Sequence, residues 1–452
     1  LAFLGMGAVA LGALTAALLH GPALAALGLL GAYVAPLLVS TKEPVPWSLA
    51  LYILVVSAAA YTIARWRLWR WLAGTASAGL IVYGLLLHTI GHSLTRLTID
   101  LYLAIAFAMA AYVYVISFFE KDETQDAGHE KPALIVLSAL MLVALPHIQW
   151  AETSALNFIE MVGILGAGFG LAWFYPAVRG LVPTTVFIVL LRYLALQITP
   201  QKASQLADDI YASGGEQLPF VLSVENTGSF LFMGAALAVI ALAIAVYASS
   251  KATSRTWLAA GSTVLALVIL VIAWLRVDAF ANSFTFFLIA LVLVAIFAAA
   301  AVYVIQLQTG ANEKNTEALN GPTSIFATGA FAALALAASI VLEKGFLTIA
   351  LALVVLAMAY AYSHRPFKGM RAAAVVLMVI WGIRVALDPD IVAGDLGTTP
   401  IFNWLLYGWG LSTLAFIGAC WFFRSGERDR WLTIIEGITI AAGTITIAVL
   451  LI

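Results

Sequence analysis

The stretch FTFFLIALVLVAIFAAAAVYVI, residues 284–305, decides the fold, because it holds 22 consecutive residues without a charged side chain. A helix rises about 1.5 Å per residue, so this run is long enough to cross the ~30 Å hydrocarbon core of a bilayer. Lipid offers no water to backbone N–H and C=O groups, and the run must therefore be helical. Its apolar residues are continuous rather than alternating, which excludes a transmembrane barrel.

Similar runs recur along the whole chain. Of its 452 residues 63% are hydrophobic and 10% are charged, whereas a soluble domain carries about 25% charged residues. The apolar windows predict helices near 2–19, 22–39, 48–64, 71–88, 100–119, 132–149, 155–175, 180–198, 220–248, 257–275, 282–307, 323–342, 345–363, 371–387, 400–423 and 430–452. The predicted fold is all-α, a polytopic transmembrane bundle of about sixteen helices that forms a single domain over residues 1–452.

Lysine and arginine are divided unevenly between alternate loops, and this predicts the orientation. Fifteen of the 22 basic residues fall in one set of loops, which includes the connections at 65–70, 364–371 and 424–430, and seven fall in the other. The positive-inside rule places the first set in the cytoplasm. Two longer connections on that side, 120–131 and 308–322, are predicted to be solvated loops.

Composition excludes several classes of function. A formal net charge of -1 and the absence of a basic tract argue against a nucleic-acid partner. The single cysteine, Cys420, permits no intrachain disulfide. No P-loop, GxSxG, HExxH or CxxC motif is present, and we predict no cofactor. The loops are too short for a soluble catalytic domain, so any chemistry must take place at or inside the membrane.

Polar residues at the predicted non-cytoplasmic helix ends repeat one theme, in which a helix ends in Arg and Asp follows two to four residues later. The three occurrences are Arg96 with Asp100, Arg276 with Asp278, and Arg384 with Asp388. The recurrence suggests a repeat of helical hairpins. Each pair either caps neighbouring helix ends at the interface or joins the others in one site for an anionic or polar headgroup. Asn403 and Arg192 complete this candidate substrate-binding set.

Arg192 is the most demanding of these residues, because it lies about two turns inside an apolar helix. A guanidinium there requires an ionic partner or a water-filled cavity. Glu160 and Glu225, each within an apolar stretch, are the nearest candidate partners along the chain. A buried ligand is the alternative.

Two further patterns are typical of helices. His88 and His92 stand at i and i+4, the spacing of helical zinc ligands. No third ligand lies within sequence reach and Arg96 would repel a cation, so we predict no metal and a hydrogen-bonded interfacial pair. Gly166 and Gly170 form a small-xxx-small face, which predicts close helix packing.

Two segments resemble a bacterial family of predicted membrane proteins, domain of unknown function 2339. They are APLLVST, from Ala35 to Thr41, and NWLLYG, from Asn403 to Gly408. The resemblance implies a bacterial inner-membrane protein. Members of the family often carry a soluble or coiled-coil segment before the membrane helices. That agrees with a chain that opens at Leu1 inside an apolar run, and we expect an N-terminal region to precede it. The resemblance implies no activity and no catalytic residue.

Three hypotheses of function follow. The first is a cell-envelope protein that binds or translocates an amphiphilic or anionic substrate, a lipid or lipid-linked glycan, through a periplasm-facing cavity. The second is an intramembrane transferase that uses a lipid-linked donor, with Asp278 or Asp388 as base. The third is a non-catalytic scaffold. The expected partners are membrane lipids and other envelope membrane proteins.

Overall fold

A computed structural model describes twelve stretches of the chain. They are residues 2–38, 46–89, 95–117, 130–145, 153–196, 224–251, 254–309, 313–342, 344–367, 369–387, 409–426 and 428–450. Within these stretches there are sixteen α-helices and no β-strand. The chain divides into two compact units, Leu1–Ala212 and Ser213–Ile452. The single domain over 1–452 stays a prediction, and each unit is described by itself.

The first unit contains eight α-helices within the described residues. They are α1 Ala2–His20, α2 Pro22–Leu38, α3 Pro46–Arg67, α4 Arg70–Thr89, α5 Thr95–Ala111, α6 Glu130–Leu142, α7 Ala155–Phe174 and α8 Leu181–Ala195. A π-helical segment, Tyr112–Ser117, extends α5, and a short 3-10 helix, Pro176–Val178, precedes α8.

The second unit contributes the other eight helices of the described residues. They are α9 Val224–Lys251, α10 Arg255–Asp278, α11 Phe284–Thr309, α12 Glu313–Val341, α13 Lys344–His364, α14 Met370–Leu387, α15 Leu411–Phe423 and α16 Arg430–Leu450. Sequential neighbours pack as pairs, and α13 also packs against α15 and α14 against α16.

The predicted architecture is confirmed, because each of the sixteen predicted helices coincides with one observed helix. Eleven of the described helices are long and apolar enough to cross a membrane. Five others, within α1, α2, α6, α8 and α15, are apolar but have 10–17 residues in the described range.

The predicted solvated loop at 308–322 is wrong for most of its length. Helix α11 continues to Thr309 and α12 begins at Glu313, so only 310–312 lie outside the described residues. The stretch 313–319 contains two Glu, one Lys, one Ala and one Leu, which favour helix, and Pro322 is accommodated inside α12. Gln308 Nε2 donates to Asn320 Oδ1 at 3.1 Å and ties the two helices together.

The close helix contact predicted at Gly166 and Gly170 lies elsewhere. A Cβ atom built at either glycine would meet nothing within 4 Å. A Cβ atom built at Gly168 would overlap Thr185 Oγ1 on α8. Sequence spacing identified small residues, but it could not show which side of α7 faces its neighbour.

Buried hydroxyl groups connect helices in the first unit. Tyr102 on α5 donates to the Leu80 carbonyl on α4 at 2.7 Å. Tyr61 on α3 bonds to Ser77 on α4 at 2.8 Å, and Ser77 also lies 3.1 Å from the Tyr114 hydroxyl. These hydrogen bonds run between helices, so they fix how each helix is rotated against its neighbour as well as holding it in place.

The two ends of α5 carry different contacts, in agreement with the predicted alternation of loops. Arg96 lies at its first turn, and Tyr112 follows its last residue. The Tyr112 hydroxyl accepts from Arg65 Nη1 at 2.5 Å, at the end where α3 also finishes. The basic connection at 65–70 is therefore at the opposite end of this helix from Arg96. Which end faces the cytoplasm stays a prediction.

Candidate functional site

A cluster of polar side chains lies where the first turns of α5 and α7 approach the last turn of α8. Its members are Arg96, Asp100, Asn157, Glu160 and Arg192, and this set is called the Glu160 cluster below. Ser154 caps α7 by accepting from the Asn157 backbone N–H at 3.4 Å. The cap sets the start of α7. Asn157 and Glu160 share a face of this helix because they are three residues apart.

Glu160 bridges two arginines from different helices. Its Oε1 accepts from Arg96 Nη2 at 3.0 Å and from Arg96 Nε at 3.2 Å. Its Oε2 accepts from Arg192 Nη2. Both carboxylate oxygens are therefore engaged by guanidinium groups, which makes these the stronger, charge-assisted kind of hydrogen bond.

Arg96 gathers further acceptors. Its Nη2 donates to Asn157 Oδ1 at 2.5 Å, and its Nε lies 3.9 Å from Asp100 Oδ2 one turn along α5. Asp100 also lies beside Glu160. When all are ionised, two guanidinium groups and two carboxylates cancel, so the cluster can sit among apolar helices without a net charge.

The cluster is shielded from solvent. The side chain of Arg192 is 6% exposed and that of Glu160 is 14% exposed. Arg192 is not two turns inside its helix as predicted, because α8 ends at Ala195; it lies in the last turn, where the helix dipole favours a cation. Arg96 lies in the first turn of α5, where the dipole opposes it, so Glu160 and Asn157 must compensate.

A cavity of about 500 Å³ opens beside the Glu160 cluster. Asp100, Glu160 and Arg192 are the three ionisable residues among the fifteen that line it. The other twelve are apolar and belong to α5, to α7 and to the segment 140–144 at the end of α6. The ionisable groups and the apolar wall together give the cavity the character of an amphiphile site.

The structure answers the question raised by Arg192. Of the two candidate partners, Glu160 forms the ion pair with Arg192. Glu225 lies in α9, and its side chain is outside the described residues. Arg96 and Asp100 do pair, but Arg96 lies in the first turn of α5 and does not end a helix as predicted, and its principal acid partner is Glu160, 64 residues away. No sequence motif links these two residues.

His88 lies in the last turn of α4 and is half-buried. Its Nδ1 is 2.6 Å from the Gly84 carbonyl oxygen, within its own helix. His92 is outside the described residues, so the proposed His88–His92 pair stays a prediction.

The second occurrence of the theme has a different geometry. Arg276 is 2% exposed near the end of α10, and Asp278 is the last residue of that helix. Residues two apart on a helix do not share a face, so Arg276 and Asp278 diverge where Arg96 and Asp100 converge. The chain then turns at Ala279, which is left-handed with a φ of 49°.

The third occurrence is only half described. Arg384 lies in the last turn of α14 and lines a cavity of about 820 Å³ in the second unit. Asp388 and Asn403 are outside the described residues, and their assignment to a binding site stays a prediction. The predicted site residues thus belong to both units, and within the first unit Arg96, Asp100 and Arg192 do meet.

Two ionic contacts in the second unit were missed by sequence reasoning. Glu436 on α16 accepts from Arg424 at 2.7 Å and from Arg428 at 3.4 Å, and these three residues are called the Glu436 cluster below. The signal was available, because Glu436 is the only charged residue between Arg430 and the end of the chain. The positive-inside rule uses these arginines only to predict orientation.

Arg371 is the other residue whose role was missed. It is buried, lies 3.2 Å from Asp429 Oδ1 through its Nη1, and stacks over the Tyr362 ring at 4.7 Å. Burial alone would raise the pKa of Asp429. The Leu432 N–H and the Arg371 guanidinium outweigh burial, so the pKa of Asp429 lies below its ordinary value.

A family model described as "Predicted membrane protein (DUF2339)" matches residues 1–452. No curated protein and no solved structure matches the chain.

Proposed function

The chain belongs to the DUF2339 family of predicted membrane proteins over its whole length, and from the geometry of its first unit we propose that it binds an amphiphilic substrate at the Glu160 cluster. Membership confirms the resemblance found in two short segments. The proposal places the protein in the bacterial inner membrane, with the cavity of the first unit open towards the periplasm. Lipids or lipid-linked glycans are the class of substrate.

One observation carries the proposal: the ionisable groups occupy one end of an otherwise apolar cavity. From Asp100 to Ala108 the lining of α5 extends about 12 Å at 1.5 Å per residue. One leaflet of the hydrocarbon core is about 15 Å deep. A molecule with a polar head at Glu160 and an apolar chain along α5 and α7 therefore fits the shape.

The polar end has the chemistry to bind a headgroup that both donates and accepts hydrogen bonds. Two carboxyl groups, of Asp100 and Glu160, accept from hydroxyl or amine groups, and the Arg192 guanidinium donates. A lining with more carboxylates than guanidinium groups suits sugar hydroxyls better than a simple anion. This favours a glycan-bearing lipid within the proposed class.

Ionisable residues inside a membrane protein are costly, and they usually mark substrate or ion pathways. A cluster that served only to join three helices could be replaced by well-packed apolar side chains at little cost. The cavity beside the cluster supplies a reason for keeping charge in this place.

The test uses a photoactivatable long-chain alkyl glucoside, with the matching alcohol that lacks the sugar as comparison. The full chain is reconstituted in lipid nanodiscs, illuminated and digested, and labelled peptides are identified by mass spectrometry. We expect the glucoside to label α5 and α7 and the alcohol to label them far less. Equal labelling by both probes would show that no headgroup is recognised and would overturn the proposal.

Two variants test binding of the headgroup and binding of the alkyl chain separately. Asp100→Asn removes one acceptor while leaving the Glu160–Arg96 and Glu160–Arg192 bonds in place. Ala104→Trp fills the apolar part of the cavity and leaves the charges unchanged. Both should lower glucoside labelling several-fold, and Glu436→Gln in the second unit should not. Unchanged labelling in both variants would contradict the proposed site.

A transferase that uses a lipid-linked donor is the second candidate, and the carboxylates in the cavity favour it. Asp100 lines the first-unit cavity, and the Glu160 carboxylate is already bound by both guanidinium groups, so Asp100 is the candidate base for a bound hydroxyl. The same nanodiscs discriminate the two functions. Asp100→Asn would abolish transfer to a hydroxyl acceptor yet retain donor binding in a transferase, whereas it would weaken binding in a carrier.

Orientation and location can be tested together. Cys420 is buried and contacts Thr439, so Cys420→Ser gives a background without a reactive thiol. Single cysteines introduced in 88–99 and 388–399 should react with a membrane-impermeant maleimide added to the periplasm. Labelling only after the cytoplasmic side is opened would reverse the orientation.

A further inference from the structure

The second unit contains a separate apolar groove, called here the Arg384 groove, with one charge at its end. It has a volume of about 820 Å³ and is lined by sixteen residues of α10, α12, α13 and α14. Of these sixteen described residues Arg384 alone is ionisable, and thirteen are apolar. The groove differs from the first-unit cavity, which contains both signs of charge.

The lining of α14 forms one continuous stripe. Its six members recur at the three- and four-residue spacing of a helix face, from Ala373 to Leu387. From Ala373 to Arg384 the stripe measures about 16 Å at 1.5 Å per residue, which is close to the depth of one leaflet. Arg384 lies in the last turn of α14, so the charge is at one end of the stripe and the apolar residues run from it along the helix.

The groove is open along part of its length. Val376, Ile380 and Leu387 are 57%, 47% and 76% exposed. In a membrane these side chains face lipid, so an acyl chain can enter sideways from the bilayer. Thr328 and Ser339 are the two hydroxyl residues in the lining. The Ser339 hydroxyl donates to the Leu336 carbonyl of its own helix at 2.7 Å, so it does not need a hydrogen-bond partner from the bound acyl chain.

We propose that the Arg384 groove binds an anionic phospholipid, with the phosphate at Arg384 and one acyl chain along α14. A guanidinium has five N–H donors, so Arg384 can bind a phosphate while also contacting protein groups. None of the sixteen described residues that line the groove is acidic. The site goes beyond the proposed function, because it lies in the other unit and recognises an anionic phosphate rather than sugar hydroxyls.

Native mass spectrometry tests the proposal. The full chain is released from nanodiscs of phosphatidylglycerol or of phosphatidylcholine, and retained lipid is counted. We expect phosphatidylglycerol to be retained and phosphatidylcholine to be lost. Arg384→Gln should lower retention about tenfold, the scale of one charge-assisted hydrogen-bonded contact. Equal retention of the two lipids would overturn the proposal.

Control variants make the result specific. Val376→Trp fills the groove and keeps the charge, so it should also lower retention of phosphatidylglycerol. Arg424→Gln removes an exposed charge of the same unit outside the groove and should leave retention unchanged. If Val376→Trp lowers retention and Arg384→Gln does not, the groove holds chains without recognising a headgroup, and the proposal fails.

The outcome is independent of the glycolipid site. Glucoside labelling of α5 and α7 in the Arg384→Gln protein reports whether the first unit is intact. Lost lipid retention with normal glucoside labelling supports the Arg384 groove. Normal lipid retention with lost glucoside labelling in Asp100→Asn supports the first-unit site.

Discussion

Among the described residues, each unit has a glutamate held between two arginines, and the two clusters differ in the burial of those arginines. In the first unit Glu160 joins Arg96 and Arg192, whose side chains are 17% and 6% exposed. In the second unit Glu436 joins Arg424 and Arg428, whose side chains are 62% and 78% exposed. The residue types and the number of partners are the same.

The difference in burial gives the two clusters different energetics. Exposed guanidinium groups are screened by water and ions, and an ion pair there contributes little to stability. Buried charges have lost their hydration, so each depends on its partner. The same combination of one glutamate and two arginines therefore acts as a surface contact in one unit and as a mutually dependent core group in the other.

The clusters also differ in how the chain builds them. Glu436 lies 12 and 8 residues from its arginines, across one helix–helix connection. Glu160 lies 64 and 32 residues from its own, so three helices must pack before its cluster exists. The first is local, and the second depends on the fold.

The largest expected effect comes from Glu160→Gln, which leaves two buried guanidinium groups without their shared carboxylate. Removing one partner of a buried ion pair costs about 3–5 kcal/mol. The free energy of unfolding, measured by denaturant titration of the full chain in detergent, should fall by this amount. Glu436→Gln is the matched control and should change it far less. Equal effects would remove the distinction between the clusters.

A paired substitution tests mutual dependence more directly. Arg192→Leu and Glu160→Leu should each be strongly destabilising, whereas the double variant should be less so than their sum by about 0.5–3 kcal/mol. Arg96 keeps Asn157 and Asp100 as acceptors in that variant. The same cycle with Arg424 and Glu436 should show almost no coupling. Strictly additive effects in the first cycle would contradict a buried pair.

Helix packing sharpens the comparison, since Glu160 reaches Arg192 only if α7 stays close to α8. A Cβ atom at Gly168 would collide with Thr185, so Gly168→Ala should cost about 1–3 kcal/mol of overpacking. Gly166→Ala is the matched control and should be tolerated, because nothing lies within 4 Å of that position. Thermal midpoints of both variants check this. If Gly168→Ala lowered the thermal midpoint no more than Gly166→Ala does, the distance between α7 and α8 would be adjustable.

The smallest effect concerns an intermediate case, Asp429 with buried Arg371. The pKa of Asp429 is lowered in the folded protein, so its contribution to stability is present above the unfolded-state pKa near 3.9 and is lost as the pH falls through the lowered value. Thermal midpoints of wild-type protein and Asp429→Asn should therefore differ at pH 7 and converge in acid. A difference in thermal midpoint that grew as the pH fell would mean that the pKa of Asp429 is raised rather than lowered by folding.

Sequence patterns predicted the helices well, because lipid imposes a length and a composition on each span. All sixteen were placed, and the main error was the start of α12, where a polar segment around Asn320 and Pro322 continues the helix. Polarity indicates exposure to water, but it does not by itself indicate a loop. Helices that extend beyond the bilayer carry the same residues as loops do.

The site was predicted in part. Arg192 and Glu160 stood out because each interrupts an apolar run, and the high cost of an unpaired guanidinium predicted a partner for Arg192. The sequence left Glu160, Glu225 and a buried ligand as alternatives, and in the structure Arg192 pairs with Glu160. Asn157 was not assigned a role, since an amide near a helix start is ordinary in any sequence. The link between Arg96 and Glu160 could not be predicted, because it depends on how three helices are rotated about their axes.

The hydrogen bond from Tyr102 to the Leu80 carbonyl bears on that rotation. Tyr102 lies two residues after Asp100 and six after Arg96 on the same helix. Its hydrogen bond to α4 therefore also fixes the directions in which these two side chains leave α5. Successive residues on a helix differ by about 100° in direction, and a modest turn of α5 would therefore aim Arg96 away from Glu160. The alignment of Arg96 with Glu160 thus depends in part on a neutral hydroxyl group outside the ionic cluster.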